Sequence, residues 1–334
     1  LLFFESFHMP QITQLKTKSR ALNELDFMDI YLRLDADSVP HFRAGHGGAL
    51  VLPDADLPED YYYDAAGLIG HLRDNFKGVE AALDYNGMRL RATRLETARG
   101  EVWAALRRLP NRPPQLETLG LISQLPSLLQ DLGRRSGLIL ICGASGQGKT
   151  TTASSLLMRF LETYGGVGFT LEDPVEYDIE GRQGENGYCY QTEIKNEDEW
   201  GLMLKRALRW HPRYITVGEI RTPDAANQVL RAATSGHTVV ATMHAGSMEE
   251  ALEGLLQLAE QESGARAPLL LAAGLTAVIY QSFAPSGLFA QFMVTEADNP
   301  GSPIRALIRD KRIGQTRTFA DQQMARLVQN GRIF

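Results

Sequence analysis

Gly143-Ala144-Ser145-Gly146-Gln147-Gly148-Lys149-Thr150 fits the phosphate-binding pattern G-x-x-x-x-G-K-[ST] in full. The flanking sequence suits it. Upstream, Leu138-Ile139-Leu140-Ile141-Cys142 is an unbroken apolar run, as expected of a parallel strand buried on both faces, and residues 151–160 have the composition of a helix. In that setting Gly143, Gly146 and Gly148 let the backbone curl, so that the N–H groups from Ser145 through Gln147 to Thr151 face a polyphosphate at a helix N-terminus. Lys149 is placed to reach the β and γ phosphates, and Thr150 to hold Mg²⁺. The ordinary alternative is a glycine-rich turn without a ligand, and the strand and helix on either side argue against it.

Composition narrows the rest. A chain of 334 residues suggests about two domains. Its 44% hydrophobic and 22% charged residues are those of a folded protein. A net charge of −6 gives no global attraction to nucleic acid or anionic lipid. Cys142 and Cys189 are the only cysteines, too few for a disulfide framework or a four-cysteine zinc site, which favours a reducing compartment. The longest apolar run, residues 269–280, is too short to span a bilayer, so direct membrane insertion is not expected. Leu1-Leu2-Phe3-Phe4 lacks the basic start of a signal peptide and His8-Met9 looks like an artificial junction, so residues 1–8 are set aside.

Residues 9–108 contain short alternating stretches, Met28-Asp29-Ile30-Tyr31-Leu32-Arg33-Leu34 and Met88-Arg89-Leu90-Arg91-Ala92-Thr93 among them, with turns such as Pro53-Asp54-Ala55-Asp56. This reads as a small α+β domain. Tyr61-Tyr62-Tyr63 opens a helical pattern through Ala65, Leu68, Ile69 and Leu72, which favours packing over an aromatic binding platform. Leu109-Pro110-Asn111-Arg112-Pro113-Pro114 is the clearest break, and residues 109–115 are read as a linker. From 116 to 334, strands at 138–142, 168–171, 214–217 and 238–242 alternate with helical stretches, the mark of an α/β domain with a largely parallel sheet.

Three further segments carry chemistry. Glu172-Asp173-Pro174-Val175-Glu176 follows Gly168-Phe169-Thr170-Leu171, at the strand end where α/β sheets place ligands, though a solvated acidic turn has the same composition. Gly218-Glu219-Ile220-Arg221 follows Tyr214-Ile215-Thr216-Val217. A carboxylate there can orient Mg²⁺ or polarise the attacking water, and with glycine at 218, where aspartate is frequent, Glu219 carries most of that task. In Ser235-Gly236-His237-Thr238-Val239-Val240-Ala241-Thr242-Met243-His244, two histidines seven apart fall on opposite faces of a strand and do not share a metal. Each alone reads as a packed or solvent-facing histidine, or as a sensor of the γ phosphate.

In this order the four segments resemble the Walker A, Asp box, Walker B and His box of the type II/type IV secretion ATPase superfamily. The resemblance spans roughly residues 110–330 and is closest to the PilT-like branch, the pilus retraction ATPases and their type IVB secretion relatives such as DotB. Ile304-Arg305-Ala306-Leu307-Ile308-Arg309 is similar to the Ala-Ile-Arg-Asn-Leu-Ile-Arg-Glu segment of retraction ATPases. The resemblance implies a PAS-like N-terminal domain and a RecA-like P-loop ATPase domain with C-terminal helices, assembled as a homohexamer. It further implies a cytoplasmic motor that hydrolyses ATP with Mg²⁺ and is peripheral at the inner membrane through a pilus or secretion platform protein. Thr150, Glu172 and Glu219 then attend the metal, Glu219 is the catalytic glutamate, and His237 and His244 couple nucleotide state to conformation. Arg89, Arg91 and Arg107 are candidates to reach a neighbouring subunit's nucleotide, each being otherwise a surface ion-pair partner.

The chain departs from the family pattern at Lys205, His211-Pro212-Arg213, Thr222 and Tyr31. Ile304, Leu307 and Ile308 recur at helical spacing and leave Arg305, Arg309, Lys311 and Arg312 for solvent or a partner. Two other classes stay open: a RecA-like nucleic-acid translocase, which the acidic net charge disfavours, and a nucleotide-gated scaffold, which the intact Glu219 disfavours.

Overall fold

A computed structural model describes residues 19–44, 55–76, 78–284, 287–296, 299 and 301–333. Residues 1–8 and Pro53-Asp54 of the expected turn lie outside them. The chain divides into two compact units, Leu1–Asn111 and Arg112–Phe334.

The first unit contains β1 (Phe27–Arg33), β2 (His41–Ala44), β3 (Ala55–Asp56), α1 (Tyr62–Asn75), β4 (Glu80–Tyr85), β5 (Met88–Glu96) and β6 (Val102–Arg108). The strands form an antiparallel sheet of order β3-β2-β1-β6-β5-β4. Alternation decides its faces. Ile30, Leu32, Leu90, Ala92, Ala104 and Leu106 are buried against Leu68 and Leu72 of α1, and Tyr61 and Tyr62 join that core, as packing requires. Asp29, Arg89, Arg91 and Arg107 occupy the alternate positions. Ala55-Asp56, expected in a turn, pairs with His41-Phe42 as an edge strand instead.

The second unit is a mixed α/β layer structure. Its elements are α2 (Leu125–Asp131), β7 (Gly137–Gly143), α3 (Lys149–Tyr164), β8 (Gly166–Glu172), β9 (Gly181–Gln183), β10 (Gly187–Glu193), α4 (Trp200–Leu208), β11 (Tyr214–Val217), α5 (Pro223–Thr234), β12 (Thr238–His244), α6 (Met248–Ser263), α7 (Ala267–Gly274), β13 (Leu275–Ala284), β14 (Gly287–Val294), α8 (Pro303–Arg309) and α9 (Arg317–Asn330). The strand order is β14-β13-β7-β12-β11-β8-β10-β9. The six inner strands are parallel, with β14 and β9 antiparallel at the edges.

Every residue of β7 is buried, which an unbroken apolar run predicts for a strand covered on both faces. Ile139 and Ile141 pack with Leu156, Leu157, Phe160 and Leu161 of α3, while Leu138 and Leu140 belong to the opposite core with α5 and α6. The parallel register carries the carboxyl ends of β7, β8, β11 and β12 to one edge. The apolar run 269–280 divides between α7 and β13, and no helix of the described residues is long and apolar enough to cross a membrane.

Candidate functional site

The loop after β7 is shaped by its glycines. Gly146 and Gly148 have φ of 72° and 74°, a region that side chains with a Cβ rarely adopt. A Cβ on Gly143 would lie 2.4 Å from the carbonyl oxygen of Gln281, so only glycine lets β13 run this close. Helix α3 begins at Lys149, and Gly148 ahead of it supplies no side-chain cap. Its first amides are therefore free to receive an anion.

Lys149 Nζ donates to Ala144 O at 2.8 Å and lies 3.2 Å from His244 Nδ1. Burial pushes this ammonium below the usual lysine value, with the charge of Glu219 pulling it back up. Two bonds from β13, one from a side chain and one from the backbone, secure the loop. Gln281 Nε2 donates to Gln147 O at 2.6 Å, and the N–H of Phe283 donates to Gln147 Oε1. Thr151 Oγ1 is 3.0 Å from the hydroxyl of Tyr177, and Ser145 is exposed.

Glu172 closes β8 and is only 4% exposed. Thr170 Oγ1 and Gln191 Nε2 both donate to its Oε1, at 2.6 and 2.9 Å, while Oε2 is buried with no hydrogen-bond partner among the described residues. Burial pushes its carboxyl up. An orphaned carboxylate oxygen in the same cleft as the Thr150 hydroxyl fits a hard divalent cation. Among the described residues no group of three or more His, Cys, Asp and Glu side chains is placed to hold a metal ion.

Glu219 sits in the turn after β11, and backbone bonds fix that turn. Gly218 N–H donates to Leu171 O at 2.7 Å, Ile220 N–H donates to Thr242 O at 2.9 Å, and Thr242 Oγ1 donates to Gly218 O. A Cβ at 218 would stand 3.2 Å from Leu171 O and 3.3 Å from Glu172 Cα, a close approach that favours glycine at a position where aspartate is frequent. Arg221 Nη2 donates to Glu219 Oε2 at 2.8 Å, and His244 Nε2 is 3.1 Å from Glu219 Oε1. Lys149, His244, Glu219 and Arg221 thus form one continuous polar chain along a cleft of about 380 Å³ that Ser145, Thr150, Thr151, Glu172 and Glu176 also line.

His237 is elsewhere. It precedes β12, whereas His244 ends it, so the two are about 20 Å apart at ~3.3 Å per residue. Its Nδ1 is 2.7 Å from Pro212 O, at the opposite end of the strand from the cleft, so of the two histidines only His244 lines it. The candidate arginines lie in the first unit. Arg107 holds the buried Asp29 through Nε at 2.8 Å and Nη2 at 3.3 Å, with Arg43 3.3 Å from the same carboxylate. Arg89 pairs with Asp84 at 2.7 Å. The side chain of Arg91 has no ion pair or hydrogen bond among the described residues, its backbone being part of the β5 ladder.

Arg305 also departs from expectation. It does not point to solvent but donates to Ala272 O, to Ala273 O at 2.7 Å and to Thr295 Oγ1 at 3.1 Å, satisfying carbonyls at the end of α7. Sequence reasoning missed Gln191, Tyr177, Thr242 and Gln281; a fully buried glutamine in the apolar β13 was the one available signal.

The family model for type II/IV secretion system protein matches residues 77–298. Over 159 residues the chain is 38% identical to the uncharacterized protein YggR of Escherichia coli K12, covering 46% of this chain and 45% of that one. It is 30% identical over 192 residues to the type IV pilus ATPase PilU of Pseudomonas aeruginosa, covering 56% and 48% respectively. The chain therefore spans about half the length of these curated relatives. The crystal structure of the pilus retraction motor PilT with bound ADP superposes with a TM-score of 0.69 at 26% identity, covering 98% of this chain and 95% of that one.

Proposed function

Because the chain belongs to the type II/IV secretion system protein family, we propose that it is a PilT-like motor ATPase that hydrolyses ATP to drive pilus retraction or type IVB secretion. The observation that carries this is the unbroken chain Lys149–His244–Glu219–Arg221 beside the glycine loop. Each member has a task in phosphoryl transfer. The loop amides and Lys149 bind the β and γ phosphates, and Glu219, oriented from both sides by Arg221 and His244, polarises the attacking water. His244, touching both Lys149 and Glu219, is the group through which loss of the γ phosphate is felt. Thr150 and Glu172 would hold Mg²⁺, which would supply charge neutralisation at the phosphates when bound. The ADP-bound PilT structure and the PilU relative support this nucleotide chemistry.

In this reading residues 9–108 are a PAS-like domain and residues 116–334 a RecA-like domain joined by the linker 109–115. Six copies form a ring in the cytoplasm, peripheral to the inner membrane through a platform protein. Arg91 is the best trans candidate, since Arg107 and Arg89 are engaged by Asp29 and Asp84. A nucleic-acid translocase would want a basic, aromatic-lined channel, and the net charge of −6 gives that reading no support.

The test is turnover by the purified chain with Mg-ATP. Glu219→Gln keeps the shape of the side chain but removes the charge that polarises water, so it should bind ATP normally and lose about a hundredfold or more in rate. Near-native hydrolysis by this variant overturns the assignment, and strong stimulation by single-stranded nucleic acid favours the translocase.

A further inference from the structure

Strand β13 continues past the glycine loop, and its last turn of chain is tied there. Gln281 Nε2 donates to Gln147 O at 2.6 Å, and the N–H of Phe283 donates to the side-chain oxygen of the same residue. The Phe283 ring follows from this. Its Cζ and Cε2 lie 3.4 and 3.6 Å from the position a Cβ would take on Gly148, the residue immediately before α3. Strand alternation puts Phe283 on the same face as Gln281 and Ile279, and Ile279 packs in the core that contains α3. The ring is thus fixed beside the helix N-terminus that receives the phosphates. Nevertheless it is 59% exposed.

A large apolar ring held against a phosphate loop, with most of its surface open to water, has a natural complement in the flat apolar face of a nucleobase carried one ribose away from the bound phosphates. We propose that Phe283 is the stacking platform for the base of the bound nucleotide, and that its breadth favours purines over pyrimidines. This rests on the proposal that the glycine loop binds a nucleoside triphosphate. Phe289 provides an internal comparison. It is 46% exposed on the adjoining β14, but it pairs with Ser282 and so faces the other side of the hairpin.

Equilibrium binding by calorimetry tests the assignment with ATP and with inorganic tripolyphosphate, which has the phosphates but no base. Phe283→Ala should bind ATP about tenfold or more weakly, the scale of one base–aromatic stack, while binding tripolyphosphate as the unaltered chain does. Phe283→Leu, which retains the apolar contact with Gly148 and loses the flat face, should behave in the same way. Phe283→Trp should keep ATP affinity and show indole quenching with ATP but not with tripolyphosphate. Phe289→Ala should bind both ligands normally. Equal loss of ATP and tripolyphosphate in Phe283→Leu makes the ring a prop for the loop and overturns the proposal, as does unchanged ATP binding in Phe283→Ala. Failure of the unaltered chain to bind either ligand is a different result: it removes the nucleotide reading itself, and the base platform with it.

Discussion

Glu172→Gln should stabilise the nucleotide-free protein and impair its use of Mg²⁺. The carboxylate is 4% exposed, both side-chain donors converge on Oε1 with the backbone of Glu176 also reaching the carboxylate, and Oε2 has no geometric hydrogen-bond partner among the described residues. A buried group left without a partner costs about 1–3 kcal/mol, more when charged. Glutamine keeps the Oε1 acceptor for Thr170 and Gln191 and puts a neutral amide in place of the orphaned oxygen, so roughly 1–3 kcal/mol should be regained at pH 8. For a unit of this size that is a rise of about 2–4 °C in melting temperature per kcal/mol.

The gain must depend on pH in one direction. Burial raises the folded-state pKa of Glu172 above its unfolded value, so its contribution is fully present below the ordinary carboxylate range and is lost as pH rises through the folded value. The variant has no such loss. The difference in melting temperature should therefore be near zero at about pH 4 and largest at alkaline pH. Calorimetric melts across this range, without nucleotide, measure it, and Mg²⁺ titrations of ATP turnover should show about tenfold more metal needed for half-maximal rate. A variant that melts below the unaltered chain at pH 8, or a difference that does not vary with pH, refutes the account.

Two other outcomes follow from ion-pair geometry. Arg107→Ala should lower the melting temperature of the first unit, because among the described residues the buried Asp29 then keeps only Arg43 as an ion-pair partner, whereas Arg91→Ala should leave it unchanged. If Arg91 acts across subunits, mixed assemblies of Arg91→Ala and Lys149→Ala chains should turn over ATP faster than either alone; verified mixed rings with no such gain would place it in its own subunit or outside catalysis. Arg305→Ala should destabilise the second unit by about 1–3 kcal/mol by freeing carbonyls at the end of α7, detectable as a lower denaturation midpoint.

The strands rich in apolar residues were legible in the sequence because burial on both faces leaves its mark residue by residue, as in the unbroken run of β7 and the short β11. Strand β10 was not. Its Tyr188-Cys189-Tyr190-Gln191 mixes polar and aromatic residues, and its pairing with β8 is fixed by contacts distant in sequence. The glycine loop, Glu172, Glu219 and His244 could be picked out because each follows a readable strand. His237 could not be placed by motif membership, since a motif that includes a whole strand covers both edges of the sheet. Nor could Arg107 and Arg305 be read from spacing. Their partners, a buried aspartate on another strand and the carbonyls at a helix end, are products of tertiary packing.

The close approach at Gly218 also bears on which substitutions this turn can accept. With Leu171 O and Glu172 Cα 3.2 and 3.3 Å from where a Cβ would stand, an aspartate at 218 needs β8 and β11 to part by a few tenths of an ångström. The same displacement would stretch the Gly218–Leu171 hydrogen bond and carry Glu172 and Glu219 apart. Installing an aspartate there is thus not a neutral single step: it requires a compensating change in the neighbouring strand, and the glycine sets the spacing between Glu172 and Glu219.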